Sequence, residues 1–374
     1  MPMSASLPPA PSPTAGTPAG AGTPTGPVFV LGSPRSGNTL LACLLNKHPD
    51  LLILFETNLY NTLRQRWQRR VRRGAGPADA FVETVMGTLG RKWSPETSDV
   101  VVRRADVEAA AAAGQPDYGR MTAAYVGTLM RATKPTARRW GDKTPHHMAR
   151  VEAILAAHPD AQFVHVYRDP RDVVASLTKP TFPHASDSAL YNAEVVLQYL
   201  GLFERSRARI PAGQLLDLRY EALVEDPEAS LRAVCAFLGV AYSPAMLEPA
   251  PAAVRRTVGH PTYKGWERIR PQPASLPASL PAGLAPLVEA RLDAVIDRYG
   301  YPRVAARPGA LVRAAAAVRT APFRVLRAVL GAAFRAKYPG GGPFLMRDEN
   351  VLWRHIGLPG LTKPNTVPLG PDAG

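Results

Sequence analysis

The chain of 374 residues has few cysteines and no long apolar run free of charge. Its two cysteines, Cys43 and Cys235, lie in apolar patterns with helical spacing and far from histidine clusters with ligand spacing. A disulfide scaffold or a zinc site is therefore not expected, and we predict two buried free thiols in a reducing, cytoplasmic compartment. No stretch of about 20 residues is apolar and uncharged, which argues against a membrane-spanning helix.

Acidic residues are scarce compared with basic ones. The sequence has 30 Asp and Glu against 45 Lys and Arg, a formal net charge of +15. From Arg303 onward eleven basic residues stand against three acidic ones, so more than half of the excess lies in the last fifth of the chain. We therefore expect much of the positive charge to lie in this C-terminal part and not to belong to the active site.

Composition divides the chain into three parts. Residues 1–26 carry no charge and consist almost entirely of Pro, Ala, Gly, Ser and Thr, which predicts a disordered tail without the basic start and apolar core of a signal peptide. Residues 27–302 show the strand and helix patterns of one large α/β domain. Residues 303–374 form a basic extension.

Within the extension, 311–337 has the period of an amphipathic helix. Its basic side comprises Arg313, Arg324, Arg327 and Arg335, and its apolar side comprises Leu311, Val318, Val325, Leu326 and Val329. One interpretation is a terminal helix packed on the domain with its basic face in water. The other is a peripheral contact with an anionic membrane. Pro322 argues against one unbroken helix.

The most informative stretch is 27–45, which reads PVFVLGSPRSGNTLLACLL. It predicts a short buried strand, a turn between Gly32 and Gly37, and an apolar helix that begins at Asn38. Backbone amides at such a helix N-terminus point at an anion, so the order predicts a phosphate cradle. The candidate contacts are Ser33, Pro34, Arg35, Ser36, Gly37, Asn38 and Thr39.

The spacing of Gly32 and Gly37 is that of a P-loop, but one residue departs from it. Asn38 stands where a nucleotide triphosphatase needs lysine, and the cation lies inside the loop as Arg35. The departure favours a phosphate-bearing donor other than ATP or GTP. A P-loop kinase or nucleotide phosphotransferase is the alternative.

A second segment, 161–176, reads AQFVHVYRDPRDVVAS. Its apolar run predicts a buried strand of a parallel sheet, with Arg168 at the carboxyl end, where the sites of α/β proteins gather. Asp169-Pro170 then begins a helix, on which Ser176 lies two turns past Arg168. We expect the guanidinium and the hydroxyl to face one phosphate.

Together the two segments resemble the donor site of sulfotransferases that use PAPS, 3′-phosphoadenosine 5′-phosphosulfate. The resemblance covers roughly 27–302, and further segments resemble the branch that includes tyrosylprotein sulfotransferases and bacterial relatives. These segments are His48-Pro49-Asp50, Phe55-Glu56-Thr57, Trp140 to Pro145 and Leu218 to Leu223. The resemblance implies a three-layer P-loop-like α/β fold with a central parallel sheet, PAPS as co-substrate, and no metal.

The resemblance also implies roles for individual residues. Glu56 would be the general base, and Lys143 would stabilise the departing PAP, the 3′,5′-bisphosphate left after transfer. Arg35 would hold the 5′-phosphosulfate, while Arg168 and Ser176 would hold the 3′-phosphate. The remaining implied donor contacts are Tyr220, Lys264 and Arg268.

Structural alternatives accompany these roles. Glu56 has the alternative of a helix cap or salt-bridge partner, and Lys143 that of an ion pair with Asp142 or Asp172. Arg168 has the alternative of a surface ion pair. A non-catalytic PAP-binding or membrane-adaptor protein is a third interpretation of the whole chain.

Two other polar clusters carry weaker signals. The run from Arg64 to Arg73 is interpreted as a solvated helix face or as a surface that steers an anionic donor or acceptor. Nucleic acid is not an expected partner, since no nucleic-acid fold signature accompanies it. His146 and His147 are adjacent, so they are expected to point different ways on a helix surface or at a cap.

Overall fold

The computed structural model describes residues 26–92, 101–178, 188–248, 283–303 and 307–337. Five parallel strands form one sheet in the order β2-β3-β1-β4-β5. The strands are β1 (Val28–Leu31), β2 (Leu51–Phe55), β3 (Arg139–Lys143), β4 (Gln162–Tyr167) and β5 (Leu215–Arg219). The predicted α/β fold with a central parallel sheet is confirmed.

Helices cover both faces of this sheet. In the first half of the chain they are α1 (Asn38–Asn46), α2 (Arg64–Arg72), α3 (Pro77–Met86), α4 (Leu89–Lys92), α5 (Arg104–Gly114), α6 (Tyr118–Thr133) and α7 (Val151–Ala157). They continue as α8 (Pro170–Leu177), α9 (Ala189–Arg207), α10 (Tyr220–Glu225), α11 (Pro227–Leu238), α12 (Ala285–Arg298) and α13 (Ala310–Lys337). Shorter turns are Leu59–Leu63, Pro145–Ala149 and Pro244–Met246.

Both faces of the sheet are buried because each strand alternates its side chains between two apolar layers. In β1, Phe29 and Leu31 join the layer that contains α6, α9 and α12. Val28 and Val30 join the layer that contains α1, α10 and α11. The strands are therefore nearly continuous apolar runs in the sequence.

The central position of β1 determines where a ligand site forms. Val30 pairs with Lys143 of β3 on one side, and Leu31 pairs with His165 of β4 on the other. The chain leaves β1 between these two neighbours, and in open parallel sheets a crevice opens at such a point beyond the carboxyl ends of the strands.

Both cysteines are free and buried, as predicted. Burial raises the pKa of the Cys43 thiol to about 12 and that of Cys235 to about 11, so neither is a reactive thiolate at neutral pH. Within the described ranges, no helix has the length and apolarity to cross a bilayer. The same ranges hold no cluster of three or more His, Cys, Asp or Glu suited to a metal ion.

Two contacts lie close to the predicted domain limits. Arg139 donates a hydrogen bond from Nε to the carbonyl of Gly26, the last residue of the predicted tail, at 2.7 Å. Residues 1–25 lie outside the described part. At the other end, Arg171 donates to the carbonyl of Pro302 at 2.7 Å.

The extension contributes one long helix, α13, which continues through Pro322. The expectation that Pro322 argues against one unbroken helix is therefore wrong. The proline removes the hydrogen bond to the carbonyl of Val318, but Val318 is 72% exposed and lies on the side open to water. On the opposite side Ala316 and Thr320 are fully buried, and this packing holds the helix together across the interruption.

Candidate active site

All five strands deliver candidate residues to one edge of the sheet. Each residue lies at or just beyond the carboxyl end of its strand, which is the edge where α/β proteins bind ligands. The set comprises the loop Ser33 to Thr39 after β1, Glu56 after β2, Lys143 at the end of β3, Arg168 after β4 and Tyr220 after β5. The structure thus brings together residues that the sequence separates by up to 187 positions.

The loop after β1 is held by its own polar side chains. Ser36 Oγ donates to the carbonyl of Ser33 at 2.7 Å, and its amide N–H donates to the same carbonyl at 3.2 Å. Asn38 donates from Nδ2 to the carbonyl of Gly32 at 3.2 Å. Asn38, which stands in the place of the P-loop lysine, therefore stabilises the loop by its side-chain hydrogen bond. The amide of Ser36 is already engaged in a hydrogen bond within the turn.

The start of α1 still suits an anion. Gly37 is its N-cap with φ +96°, no side chain caps the helix, and its first turn holds no acidic residue. The amides and dipole of such a helix end favour negative charge. Pro34 is buried beneath the loop, whereas Thr39 is half-buried in the first turn.

Arg35 joins the loop to the Arg168 segment. Its guanidinium donates from Nε to Ser176 Oγ on α8 at 2.9 Å, and its own backbone has φ +70°. The structure therefore brings the predicted 5′ and 3′ contacts into one cluster.

Tyr220 links Arg168 to the same loop. The Arg168 Cζ lies 4.6 Å from the centroid of the Tyr220 ring, and a Cβ placed on Gly37 would come within 2.2 Å of Cδ2 of that ring. Arg168 Nη2 lies 3.6 Å from Asp172, while its buried Nε has no hydrogen-bond partner among the described residues. The guanidinium is thus stacked on the Tyr220 ring and oriented at the end of β4.

Glu56 and Lys143 form an ion pair beside the loop. Lys143 Nζ lies 2.9 Å from Glu56 Oε1, with the lysine side chain fully buried and that of the glutamate 31% exposed. Glu56 has φ +49°, and its N–H donates to the carbonyl of Lys143 at 2.9 Å. A left-handed backbone at a non-glycine residue marks a position that its surroundings hold in place.

Lys143 is the last residue of β3, and neither ion-pair partner considered for it from the sequence is its partner in the structure. Its ion-pair partner is Glu56, because Asp142 points to the opposite face of the strand and Asp172 lies against Arg168. Lys143 therefore forms a structural ion pair, and its partner is the same Glu56 that the resemblance implies as the general base.

A buried polar layer under the ion pair was missed from the sequence. Thr57 donates from Oγ1 to Asp142 Oδ2 at 2.5 Å, and His147 Nδ1 lies 3.1 Å from Asp142 Oδ1. The N–H of Tyr60 donates to His147 Nε2 at 3.3 Å. His147 is fully buried, so it does not lie at a helix surface, but its bond to the N–H of Tyr60 at the start of Leu59–Leu63 is a cap contact of the predicted kind. The sequence could have indicated this layer, because successive side chains of a strand point to opposite faces and Asp142 precedes Lys143.

Two predicted donor contacts, Lys264 and Arg268, lie outside the described residues. The arginine run after Glu56 forms α2 and lines a groove of about 560 Å³ against α3. The arginines in that groove are Arg66, Arg69, Arg70 and Arg73. None of the strand-end residues lines it, so it is separate from the donor site, and its steering role stays a prediction.

Gly37→Ala is expected to damage the loop beyond the cost of its backbone angle. The new methyl would overlap Tyr220, while Gly213, with φ +82°, has open space around it. Gly213→Ala should therefore cost only the ~1–2 kcal/mol of a left-handed alanine. Gly37→Ala should also weaken PAP binding at least about tenfold, because Tyr220 must move. Thermal unfolding and calorimetry compare the two; equal PAP affinity in both variants would contradict this packing.

The fold and the site together define an α/β protein with a candidate anion site at the carboxyl ends of a parallel sheet. Residues 27–244 match a sequence model described as "Sulfotransferase family", and this is more than half of the chain. The chain belongs to the sulfotransferase family.

Individual relatives are distant and are matched over part of their length. The chain is 28% identical over 187 residues to the omega-hydroxy-beta-dihydromenaquinone-9 sulfotransferase of Mycobacterium bovis, covering 45% of this chain and 43% of that protein. It is 25% identical over 231 residues to protein-tyrosine sulfotransferase 2 of Gallus gallus, covering 59% of this chain and 53% of that protein. The chain thus spans about half or less of these relatives.

One solved structure supports the fold. The sulfotransferase domain from the olefin synthase of Synechococcus superposes with a TM-score of 0.50 at 22% identity. The superposition covers 77% of this chain and 98% of that domain. At this identity the likeness supports the architecture, and the chemistry has to be argued from the residues.

Proposed function

We propose that the protein transfers a sulfuryl group from PAPS to a hydroxyl or amine acceptor by in-line displacement. The observation that carries the proposal is the convergence of a lysine-less phosphate loop, the Glu56–Lys143 pair and the Arg168–Tyr220 stack at one sheet edge. This arrangement combines an anion site, a base and a buried cation, which are the three functions that sulfuryl transfer requires.

The cations fit a donor with two phosphate positions. Arg35 and the start of α1 would hold the 5′-phosphosulfate, and Arg168 with Ser176 would hold the 3′-phosphate. The position of the Arg168 guanidinium, stacked on Tyr220 just beyond β4, supports this fit, because a phosphate accepts charge-assisted hydrogen bonds from a guanidinium. Selection of a 3′-phosphorylated nucleotide over ordinary adenine nucleotides would follow.

The two residues of the ion pair would supply the general base and the cation that the transfer needs. In the transfer, the acceptor oxygen or nitrogen bonds to sulfur as the bond from sulfur to the bridging phosphate oxygen breaks. Glu56 would take the acceptor proton, and Lys143 would stabilise the negative charge that grows on the leaving oxygen. Since the two side chains lie 2.9 Å apart, turning Lys143 toward the donor would free the carboxylate for the acceptor.

The kinase alternative fits this site less well. In a P-loop kinase a lysine at the position of Asn38 reaches the phosphates, whereas here the Asn38 amide holds the carbonyl of Gly32 at 3.2 Å. We therefore keep sulfuryl transfer as the proposed reaction.

Mass spectrometry of reaction mixtures tests the proposed function. The purified protein is incubated with PAPS and a panel of tyrosyl peptides, sugars, hydroxylated lipids and amines. The panel includes the acceptor classes that the names of the mycobacterial and avian relatives state for those proteins. A gain of one sulfo group on an acceptor, with release of PAP, is the expected result. Binding of PAP with no transfer to any member would favour the non-catalytic interpretation.

Arg168→Ala is expected to weaken PAP binding about 10- to 100-fold, as for a lost charge-assisted hydrogen bond to phosphate. Affinity for 5′-AMP, which lacks the 3′-phosphate, should hardly change. Calorimetry with both nucleotides measures the difference.

The chain offers a matched control for this variant in Arg232. It stacks on Tyr242 at 4.2 Å and pairs with Glu228, so it copies the ring contact and the ion pair away from the site. Arg232→Ala should leave both affinities unchanged. If Arg168→Ala lowers the PAP and 5′-AMP affinities equally, Arg168 does not read the 3′-phosphate.

A further inference from the structure

The outward face of α13 carries most of the exposed large apolar surface in the described part of the chain. The exposed large apolar residues in these ranges are Val101, Leu311, Val318, Val325 and Val329. Four of the five belong to α13, and their exposures run from 60% to 86%. Such a concentration of exposed apolar side chains marks an interaction surface.

These four residues form one stripe, here called the α13 stripe. Their spacings of seven, seven and four residues keep them on one side of a helix with 3.6 residues per turn. From Leu311 to Val329 the stripe runs about 27 Å at 1.5 Å per residue.

The helix is attached to the domain by its other side. Ala316 and Thr320 are fully buried, and the ring of Phe323 lies 5.6 Å from that of Tyr191 on α9 in an edge contact. The helix packs on the domain and keeps arginines in water, as one interpretation predicted, but the side predicted to be apolar is not the packed side. Ala316, Thr320, Val312 and Phe323 face the domain, and the four residues exposed above face outward.

The charge of α13 is of one sign. The helix has six basic residues and no Asp or Glu. Measured from the middle of the stripe, Arg319 lies about 95° around the helix, Arg324 about 125° and Arg313 about 145°, so the last two are on the side opposite the stripe. All three are exposed. A helix is about 10–12 Å across, so a surface that touches the stripe attracts these charges from a distance of roughly one Debye length or more.

We propose that the α13 stripe docks on an anionic bilayer surface, with the helix lying in the plane of the interface. The stripe enters the boundary between headgroups and acyl chains, and the positive charge of the helix attracts the anionic surface. The protein is then peripheral to a membrane, independently of which acceptor the proposed reaction uses.

Charge disfavours two other possible occupants of the α13 stripe, a second copy of the chain and the segment that follows the helix. A second copy of α13 would bring arginines against arginines with no acidic residue on the helix to pair with them. The chain beyond the helix, residues 338–374, has three basic and three acidic residues, so it carries no net charge to complement the helix. An anionic lipid surface complements both the stripe and the charge.

Vesicle sedimentation of the full chain tests the proposal. Vesicles of phosphatidylcholine with phosphatidylserine should pellet the protein at low salt, and vesicles of phosphatidylcholine alone should pellet at least about tenfold less. A double variant, Val318→Asp with Val325→Asp, should lose at least about tenfold in vesicle affinity, because two charges enter the apolar boundary. Both positions are more than 60% exposed, so melting temperature and PAP affinity should match the wild type.

Val101→Asp is the matched control, since it makes the same change at the one valine outside α13 that is exposed within the described ranges. Equal pelleting of wild type and double variant, no pelleting of the wild type, or equal pelleting with and without phosphatidylserine would each overturn the proposal. A wild-type dimer in sedimentation velocity that the double variant converts to monomer would assign the stripe to a second copy instead.

Discussion

Glu56→Gln is expected to lower turnover by about 10²–10⁴-fold, the range for a lost general base, while PAP affinity stays near that of the wild type. The amide keeps the shape of the carboxylate but cannot accept the acceptor proton. The donor contacts are made by other residues, and Lys143 is released from its 2.9 Å ion pair. Release of PAP from PAPS with acceptor present measures turnover, and calorimetry measures PAP binding.

Glu83→Gln is a matched control for this change. Glu83 is an ion-paired glutamate on α3, with Arg104 at 3.0 Å, and it is far from the strand ends in the fold. It should retain wild-type turnover. If Glu56→Gln retains most of the activity with the true acceptor, Glu56 is a structural partner of Lys143, and the base lies elsewhere.

Lys143→Met is expected to lower turnover by about 10²–10³-fold, as when one group that stabilises transition-state charge is removed. Unlike Glu56→Gln, this change should also weaken PAP binding, because Lys143 would contact the donor itself in the proposed reaction. Methionine fills much of the fully buried lysine site, and Glu56 is 31% exposed, so the carboxylate left behind remains in contact with water. The same PAP-release assay and calorimetry measure both effects.

Lys47→Met provides the control at the opposite end of α1, where Lys47 is a backbone-bonded lysine outside the site. It should leave kcat and PAP affinity unchanged. Full turnover in Lys143→Met with wild-type stability would exclude Lys143 from the chemistry. A change in PAP affinity without a change in kcat would limit it to ground-state binding of the donor.

The parts of the site predicted from the sequence are those that local pattern determines. The strand, loop and helix of 27–45 follow from an apolar run, two glycines at fixed spacing and a second apolar run. The β4 segment is equally local, since an apolar strand is followed by Arg168 and a helix start at Asp169-Pro170. Such runs also predicted the parallel sheet, because strands buried on both faces lack alternation.

The contacts that could not be predicted join distant segments. β3 reads RWGDK, which has no apolar run, and it is a strand because it pairs with both β1 and β2. The contact between Thr57 and Asp142 spans 85 residues. The stabilising role of Asn38 depends on a hydrogen bond to the carbonyl of Gly32, whose position only the folded loop defines.

The orientation of α13 was also beyond the sequence. Amphipathic spacing shows that a helix has two unlike sides, but it does not show which side the domain covers. Here the domain covers Ala316 and Thr320, because small side chains allow close approach to α9 and α12. The larger valines are left outside.

Calorimetric titration of the wild-type protein with PAP, 5′-AMP and ATP, each with EDTA and then with magnesium, tests the central claim most directly. If the strand-end site holds the donor of a sulfuryl transfer, PAP binds without metal and at least about tenfold more tightly than 5′-AMP, and magnesium adds little. Equal binding of PAP and 5′-AMP, or tight binding of ATP that requires magnesium, would contradict the assignment of this site to PAPS.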